Sequence, residues 1–253
     1  MPQPETRRYP YVQRTSRFTI DIARRFFDAW IERFASRRGF LRIDGRPALS
    51  ILNLNDFVQV YGLAAFRFML EDGRARIEEA LGVEPFFVGL FNRANAYNVK
   101  ITNKLPVEAA TGYGLLPDWL GPPVQDYETL IAKRVGEWYF VQEGLRVPFY
   151  PVVCAGWDAT VRGERVAELS AMRGFPWRPV VRGVTPELFG RFLDEAIRFI
   201  DATHPADRIV FIHAWNEWTE ASVIEPSDRF GTAFLDEIRA RSSSLATLPA
   251  ASC

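Results

Sequence analysis

The sequence predicts an α/β fold on a parallel sheet, either doubly wound or closed as a (β/α) barrel. Three observations carry this expectation. Short apolar runs, at residues 47–54, 85–91, 109–115, 148–155 and 208–215, alternate with longer segments of helical spacing. Polar and aromatic residues gather just after those runs, where parallel α/β sheets place their functional groups. Neither a repeat, a low-complexity block nor a linker divides the 253 residues, so one domain is expected.

The elements follow in order. Residues 17–34 read as a helix, with Ile22, Phe26, Trp30 and Phe34 on one stripe. Residues 37–45 form a polar turn. The run 47–54 is a buried strand ending in Asn53, Asn55 and Asp56. Residues 57–81 are helical, with Gly73 a candidate break and Gly82 a stop signal. The strand 85–91 leads to Asn92 and Arg93, and residues 92–108 hold at most a short helix. Residues 109–115 are a weaker strand, and Pro117, Gly121, Pro122 and Pro123 mark a loop. A helix over 126–142 is N-capped by Asp126. The strand 148–155 ends at Gly156-Trp157-Asp158, and a long loop covers 160–183. Thr185 caps a helix with Pro186 at its first position and Phe189, Phe192, Leu193, Ala196, Ile197 and Ile200 on its apolar face. A last strand at 208–215 and a last helix at 230–241 complete a single domain over 1–241, with 242–253 a frayed tail.

Composition narrows the function. Lys plus Arg and Asp plus Glu are both 31, so the chain lacks the basic excess of a nucleic-acid binder. Only three of the basic residues are lysines, Lys100, Lys104 and Lys133. That bias suits planar contacts to carboxylates and sugars, but a GC-rich genome produces it equally. Aromatics reach 14% with seven Trp, which fits a large core or a sugar-stacking cleft. Cys154 and Cys253 make no disulfide framework and no zinc pattern. The first 17 residues are polar, without the apolar core of a signal peptide, and no apolar run approaches membrane-spanning length. A reducing cytoplasm is the expected location, and no cofactor or metal is expected.

Strand ends give a list of candidate site residues: Asn53, Asn55, Asp56, Asn92, Arg93, Tyr113, Trp157, Asp158, Asn216, Glu217, Trp218 and Glu220. The most informative stretch is residues 209–231, IVFIHAWNEWTEASVIEPSDRFG. Here a buried strand runs into two carboxylates three residues apart. If the stretch turns helically, positions i and i+3 share a face at about 5–6 Å between Cβ atoms. Glycosidic chemistry places two carboxyl groups about 5–5.5 Å apart in retaining enzymes. Neighbouring Trp side chains would desolvate one acid and stack on a sugar ring. The alternative is that Glu217 and Glu220 are solvated surface acids. His204 lies at a helix end and His213 within a strand, where a capping and a core role respectively are the simpler readings. A metal site of His213, Asp158 and Glu217 has no ligand spacing behind it.

These residues carry a family resemblance. WNEWTEASVIEP followed by DRFG resembles the C-terminal signature of WbsX-type proteins, WNEW-x-E-G-x-x-x-EP. That family is related to glycoside hydrolase family 99, the endo-α-mannosidases. Asp44-Gly45-Arg46-Pro47 resembles the family's DGKP, Gly156-Trp157-Asp158-Ala159-Thr160-Val161-Arg162 its GWDN-T-x-R, and Thr185-Pro186-Glu187-Leu188-Phe189 its TPELF. The matches run in order from about residue 37 to 231.

The resemblance implies a TIM-type (β/α)₈ barrel acting on glycans. It implies that Glu217 deprotonates a sugar 2-hydroxyl, whose oxygen attacks C1 to give a 1,2-anhydro sugar. Glu220 would protonate the leaving group and then activate water, with net retention. Trp215, Asn216, Trp218, Asp158, Trp157, Tyr113 and Glu225 would position substrate or support the pair. Two departures stand out. Ala221 occupies the position of the family's Gly, where a left-handed backbone would cost Ala about 1 kcal/mol or more. Further, the five strands correspond to the last five of eight, so the first three βα units are expected to be missing, or supplied by a second chain.

Two rival readings remain. WbsX-type proteins are linked to O-antigen and surface-polysaccharide assembly, which points to a glycosyltransferase; the chain has no Asp-x-Asp triplet for a metal–diphosphate. The other rival is an inactive glycan-binding or fragment domain. The sequence contains neither G-x-S-x-G nor G-x-G-x-x-G, the marks of a serine hydrolase and a nicotinamide enzyme.

Overall fold

The computed structural model describes residues 19–113, 116–163, 174–203 and 208–246. His204, Cys253 and the tail beyond 246 lie outside them. Eleven strands and seven α-helices are described. The strands are β1 (Arg42–Ile43), β2 (Arg46–Ile51), β3 (Phe86–Phe91), β4 (Ala109–Gly112), β5 (Val124–Asp126), β6 (Phe149–Tyr150), β7 (Val152–Cys154), β8 (Val180–Arg182), β9 (Phe211–His213), β10 (Asn216–Glu217) and β11 (Ser222–Val223). The helices are α1 (Ile20–Trp30), α2 (Leu54–Tyr61), α3 (Leu63–Leu81), α4 (Ala96–Thr102), α5 (Tyr127–Gly144), α6 (Pro186–Thr203) and α7 (Ala233–Ala246). No helix among the described residues is long and apolar enough to cross a membrane.

β2, β3, β4 and β6 pair in parallel in chain order, and β7 pairs in parallel with β9. The predicted strand 148–155 is broken at Pro151, which has no N–H for a ladder. The chain therefore leaves β4 after β6 and joins β9 through β7, with the Pro151 carbonyl accepting from Phe211 N–H at 2.9 Å. Five parallel segments result, each of the five predicted runs contributing one. Their C-terminal ends, at Ile51, Phe91, Gly112, Cys154 and His213, point the same way. The loops that follow therefore share one end of the sheet.

The helices at 126 and 186 form where their caps placed them, but the stripe expected on the first helix is rotated: α1 buries Ala23, Phe27 and Trp30, while Phe26 and Phe34 are exposed. Thr19 accepts from Ile22 N–H, Asp126 from Thr129 N–H and Thr185 from Leu188 N–H, starting α1, α5 and α6. Such caps contribute about 1 kcal/mol each. α1 continues into a π-helical turn at Ile31–Ala35. The main core lies between α5, α6 and the strands, where Trp138 stacks on Phe192 with ring centroids 5.3 Å apart. A second cluster joins α1 and α3 to β3 through Phe27, Phe66, Ile77 and Phe87. Burying one such aromatic contributes roughly 1.5–3 kcal/mol.

Several expectations are corrected. The helix expected over 57–81 breaks at Gly62, at φ +81°, rather than at Gly73. Gly73 sits inside α3 because a Cβ there would lie 2.2 Å from the Phe27 ring. The loop expected over 160–183 contains a strand, β8, which pairs in parallel with β5. α7 continues to Ala246, five residues past the expected end at Arg241.

Candidate active site

The stretch after β9 folds as a two-residue-per-strand hairpin. β10 and β11 pair antiparallel, with Asn216 opposite Val223 and Glu217 opposite Ser222. A 3₁₀ turn at Trp218–Glu220 joins them, and Ala221 closes it at φ +51°, ψ 27°. The left-handed residue is thus where the family signature has Gly. A turn this tight places Glu217 and Glu220 on one guanidinium. Arg162 Nη2 lies 3.0 Å from Glu217 Oε1, and Nη1 donates to Glu220 Oε1 at 2.7 Å. Arg162 Nε also donates to Thr219 Oγ1 at 2.7 Å, and Thr219 in turn donates to Glu217 Oε1.

The two carboxyls sit in different surroundings. Glu217 is half-buried, and the Thr219 hydroxyl, aided by Arg162, holds its carboxyl below the ordinary value. Glu220 is only 6% exposed, and its Oε2 is buried with no hydrogen-bond partner among the described residues. Burial pushes its carboxyl up; Arg162 opposes this, and the Glu217 charge adds to it. Relative to an ordinary carboxylate, ionisation is thereby made easier at Glu217 and harder at Glu220.

The other predicted residues divide into those facing this pair and those supporting it. Trp215 and Trp218 are 54% and 51% exposed, and their indole N–H groups both donate to Glu225, at 3.1 and 2.8 Å. One carboxylate therefore sets the pose of two aromatic faces. Asn216 is exposed beside them. Tyr113 stands edge-on to the His213 ring at 4.7 Å. Partial burial, then the charges of Glu220 and Glu217, hold its phenol above the ordinary value. Trp157 is buried, edge-on to Trp119 at 5.5 Å, and forms wall rather than surface. Asp158 accepts from Thr160 N–H and Oγ1, and its own N–H donates to the Glu220 carbonyl at 2.7 Å. Its side chain thus shapes the turn at Thr160–Arg162 that presents Arg162.

Arg162 and Ser222 are site residues that the strand-end pattern does not single out. Arg162 was visible at the end of the GWDATVR stretch; its role was hidden because the contact spans 58 residues. Ser222 Oγ donates to the His213 carbonyl at 2.6 Å and accepts from Ala214 N–H at 3.1 Å. The same Oγ lies 3.2 Å from His213 Nδ1 and 3.2 Å from Cys154 Sγ, so the imidazole, the hydroxyl and the thiol form one buried cluster. Burial lowers the His213 ring below its ordinary value, favouring the neutral imidazole. His213, Asp158 and Glu217 are each engaged by different partners.

Asn53, Asn55 and Asp56 lie at the end of β2 and the start of α2, with Asn55 Nδ2 donating to Asp56 at 3.0 Å. Neither they nor Asn92 and Arg93 touch the carboxylate hairpin.

Comparisons with known proteins bear on this geometry. The family described as glycosyltransferase WbsX matches residues 12–238. Proteins named WxcX from two strains of Xanthomonas campestris pv. campestris are each 34% identical over 91 residues. Those 91 residues are 36% of this chain and 12% of the length of these relatives. Among solved structures, the GH99 endo-α-mannosidase from Bacteroides thetaiotaomicron in complex with BIS-TRIS-propane superposes with a TM-score of 0.52 at 14% identity. The alignment covers 93% of this chain and 69% of that one. It relates the mixed parallel fold to that of a TIM-barrel-type enzyme.

Proposed function

The chain belongs to the WbsX family, and from that premise we propose that it is a carbohydrate-active enzyme whose reactive pair is Glu217 and Glu220. The observation that carries the reading is the split between the two carboxyls: one charge-stabilised by Thr219 and Arg162, the other buried with a free oxygen. Cleavage of an α-mannoside-like bond with retention uses that split. Glu217 takes the proton of the 2-hydroxyl, and the freed oxygen attacks C1. The bond from C1 to the leaving oxygen breaks as Glu220 gives that oxygen its proton. Water then opens the 1,2-anhydro ring at C1, losing its proton to Glu220, while Glu217 returns a proton to O2. Trp215 and Trp218 stack on the sugar, Asn216 and Tyr113 offer hydrogen bonds, and Trp157, Asp158 and Glu225 hold the frame.

The family's description, glycosyltransferase WbsX, favours a second reading, transfer from an activated sugar donor. A further part of the proposal concerns architecture. The five parallel segments correspond to the last five units of an eight-unit barrel, and three more units or a second chain close it.

The test is an assay of the purified chain on α-linked manno-oligosaccharides and on nucleotide sugars. Hydrolysis is expected, with kcat/KM falling about 10²–10⁴-fold in Glu220→Gln and in Glu217→Gln. Full activity in Glu220→Gln would sink the acid/base assignment. Turnover that needs a nucleotide sugar would replace hydrolysis with transfer.

A further inference from the structure

A cavity opens at the same end of the sheet, between the loops that follow β3 and β4. Its volume is about 260 Å³, and Asn92, Arg93, Asn95, Trp119, Arg134 and Glu137 are on its wall. That is slightly below the usual range of small-molecule sites, about 300–1,000 Å³, so it suits a single sugar unit and no more. Trp119 stands edge-on to Trp157, and Trp157 lies 6.5 Å, ring to ring, from His213 at the end of β9. The cavity is therefore two aromatic rings away from the residue that leads into the carboxylate hairpin.

Its charges are unevenly committed. Asp118, also on the wall, is paired with Lys133, and Glu137 with Arg134 Nη1. Each acid thus has its own cation. The Arg134 side chain is 7% exposed, and its Nε is buried without a hydrogen-bond partner among the described residues. A buried guanidinium donor left without an acceptor is costly and uncommon, and a ligand oxygen would relieve it. Arg93 is exposed, with its side chain in no ion pair among the described residues. The wall holds two cations and two acids, and because Asp118 is paired with Lys133 from outside the wall, Arg93 is left as the cation without an acid of its own among the described residues.

We propose that this cavity is a second sugar subsite that selects an anionic substituent, a carboxylate or a phosphate, on a unit neighbouring the bond held by Glu217 and Glu220. The oxyanion takes the charge of Arg93 and, on a turn of the Arg134 side chain that uncovers it, the N–H of Nε, while the sugar ring lies against Trp119. Asn92 and the Nδ2 of Asn95 remain for ring hydroxyls, the Asn95 Oδ1 being held by Asn98 N–H at the start of α4. The inference rests on the glycan-active reading, and it adds the charge class of the substrate.

Calorimetry on the full chain tests it with three probes: an α-linked mannotriose, the same trisaccharide bearing a terminal 6-carboxylate, and the same bearing a 6-phosphate. At least one anionic probe is expected to bind about tenfold tighter than the neutral one, as a charge-assisted contact would give. The tighter of the two anionic probes identifies the source of the oxyanion. Arg93→Met, at an exposed position safe for folding, is expected to abolish the preference and leave neutral binding unchanged. Trp119→Ala is expected to weaken all three. Equal binding of neutral and anionic probes would overturn the subsite while leaving the glycan reading intact. So would a preference that persists in Arg93→Met. Binding of none of the three would overturn both.

Discussion

Arg162 sets the working range of the carboxylate pair, because one guanidinium stabilises the charged form of both acids. Replacing it with Met removes that stabilisation, so both carboxyls titrate higher. The acid limb of the pH–rate profile reports ionised Glu217 and the alkaline limb protonated Glu220. Both limbs, and the optimum between them, are expected to move to higher pH in Arg162→Met, measured as kcat/KM against pH. Glu220 also links activity to stability. Its folded carboxyl is held above the ordinary value, so the folded state binds this proton more tightly than the unfolded state. The resulting stabilisation is present at low pH and is lost as pH rises through the folded value. Glu220→Gln mimics the protonated form, so its Tm near pH 7 should exceed that of the wild type even as turnover is lost. A lower Tm would show that the Arg162 contact outweighs burial. Ala221 carries strain of another kind, since its φ is +51°. Ala221→Gly is expected to gain up to about 1 kcal/mol in denaturant unfolding, and Ala221→Val to lose about 1–2 kcal/mol.

At the scale of elements, legibility followed how local the determining physics is. The helices starting at Asp126 and Pro186 were readable because a cap and an apolar stripe are properties of neighbouring residues. Gly73 was misread because a helical Gly has two explanations, a break or a close neighbour. Only the fold reveals Phe27 against it. Gly73→Ala should push α1 off α3 and cost about 1–3 kcal/mol, read from the denaturant midpoint. Gly62, whose positive φ ends α2, has no neighbour within 4 Å of a Cβ position, so its backbone alone explains it. Pro151 had been absorbed into an apolar run, although its missing N–H is what lets the strand change partners. β5 and β8 were hidden in Pro- and Gly-rich stretches, since three-residue strands hold too little pattern to detect. In the candidate site, the pair at i and i+3 was legible as a spacing. Its bridging Arg162 was not, because nothing local ties residue 162 to residue 220.

At the scale of the molecule, the five parallel segments leave two flanks with distinct neighbours. β2 is bordered by the short hairpin partner β1, and among the described residues β9 pairs only with β7. Leu41, Leu52, Phe26, Phe34 and Phe68 are exposed, and an apolar cleft of about 220 Å³ lies between α1, β2 and α3. Open strand edges and uncovered apolar surface favour association. The isolated chain is therefore expected to scatter light as a species heavier than 28.9 kDa and to bind an environment-sensitive apolar dye while folded. A dye-silent monomer would instead show that the surface is self-sufficient and would remove the need for a completing unit.

The tether of Trp215 and Trp218 to the single carboxylate of Glu225 also gives the molecule an optical signal of its own. Two half-exposed indoles beside the candidate reaction centre share one anionic acceptor, so they respond together when anything is laid over them. Sugar binding should quench or blue-shift the emission of these two fluorophores, and Glu225→Gln, by slackening the tether, should blunt that response. Occupancy could then be titrated without a label and without turnover.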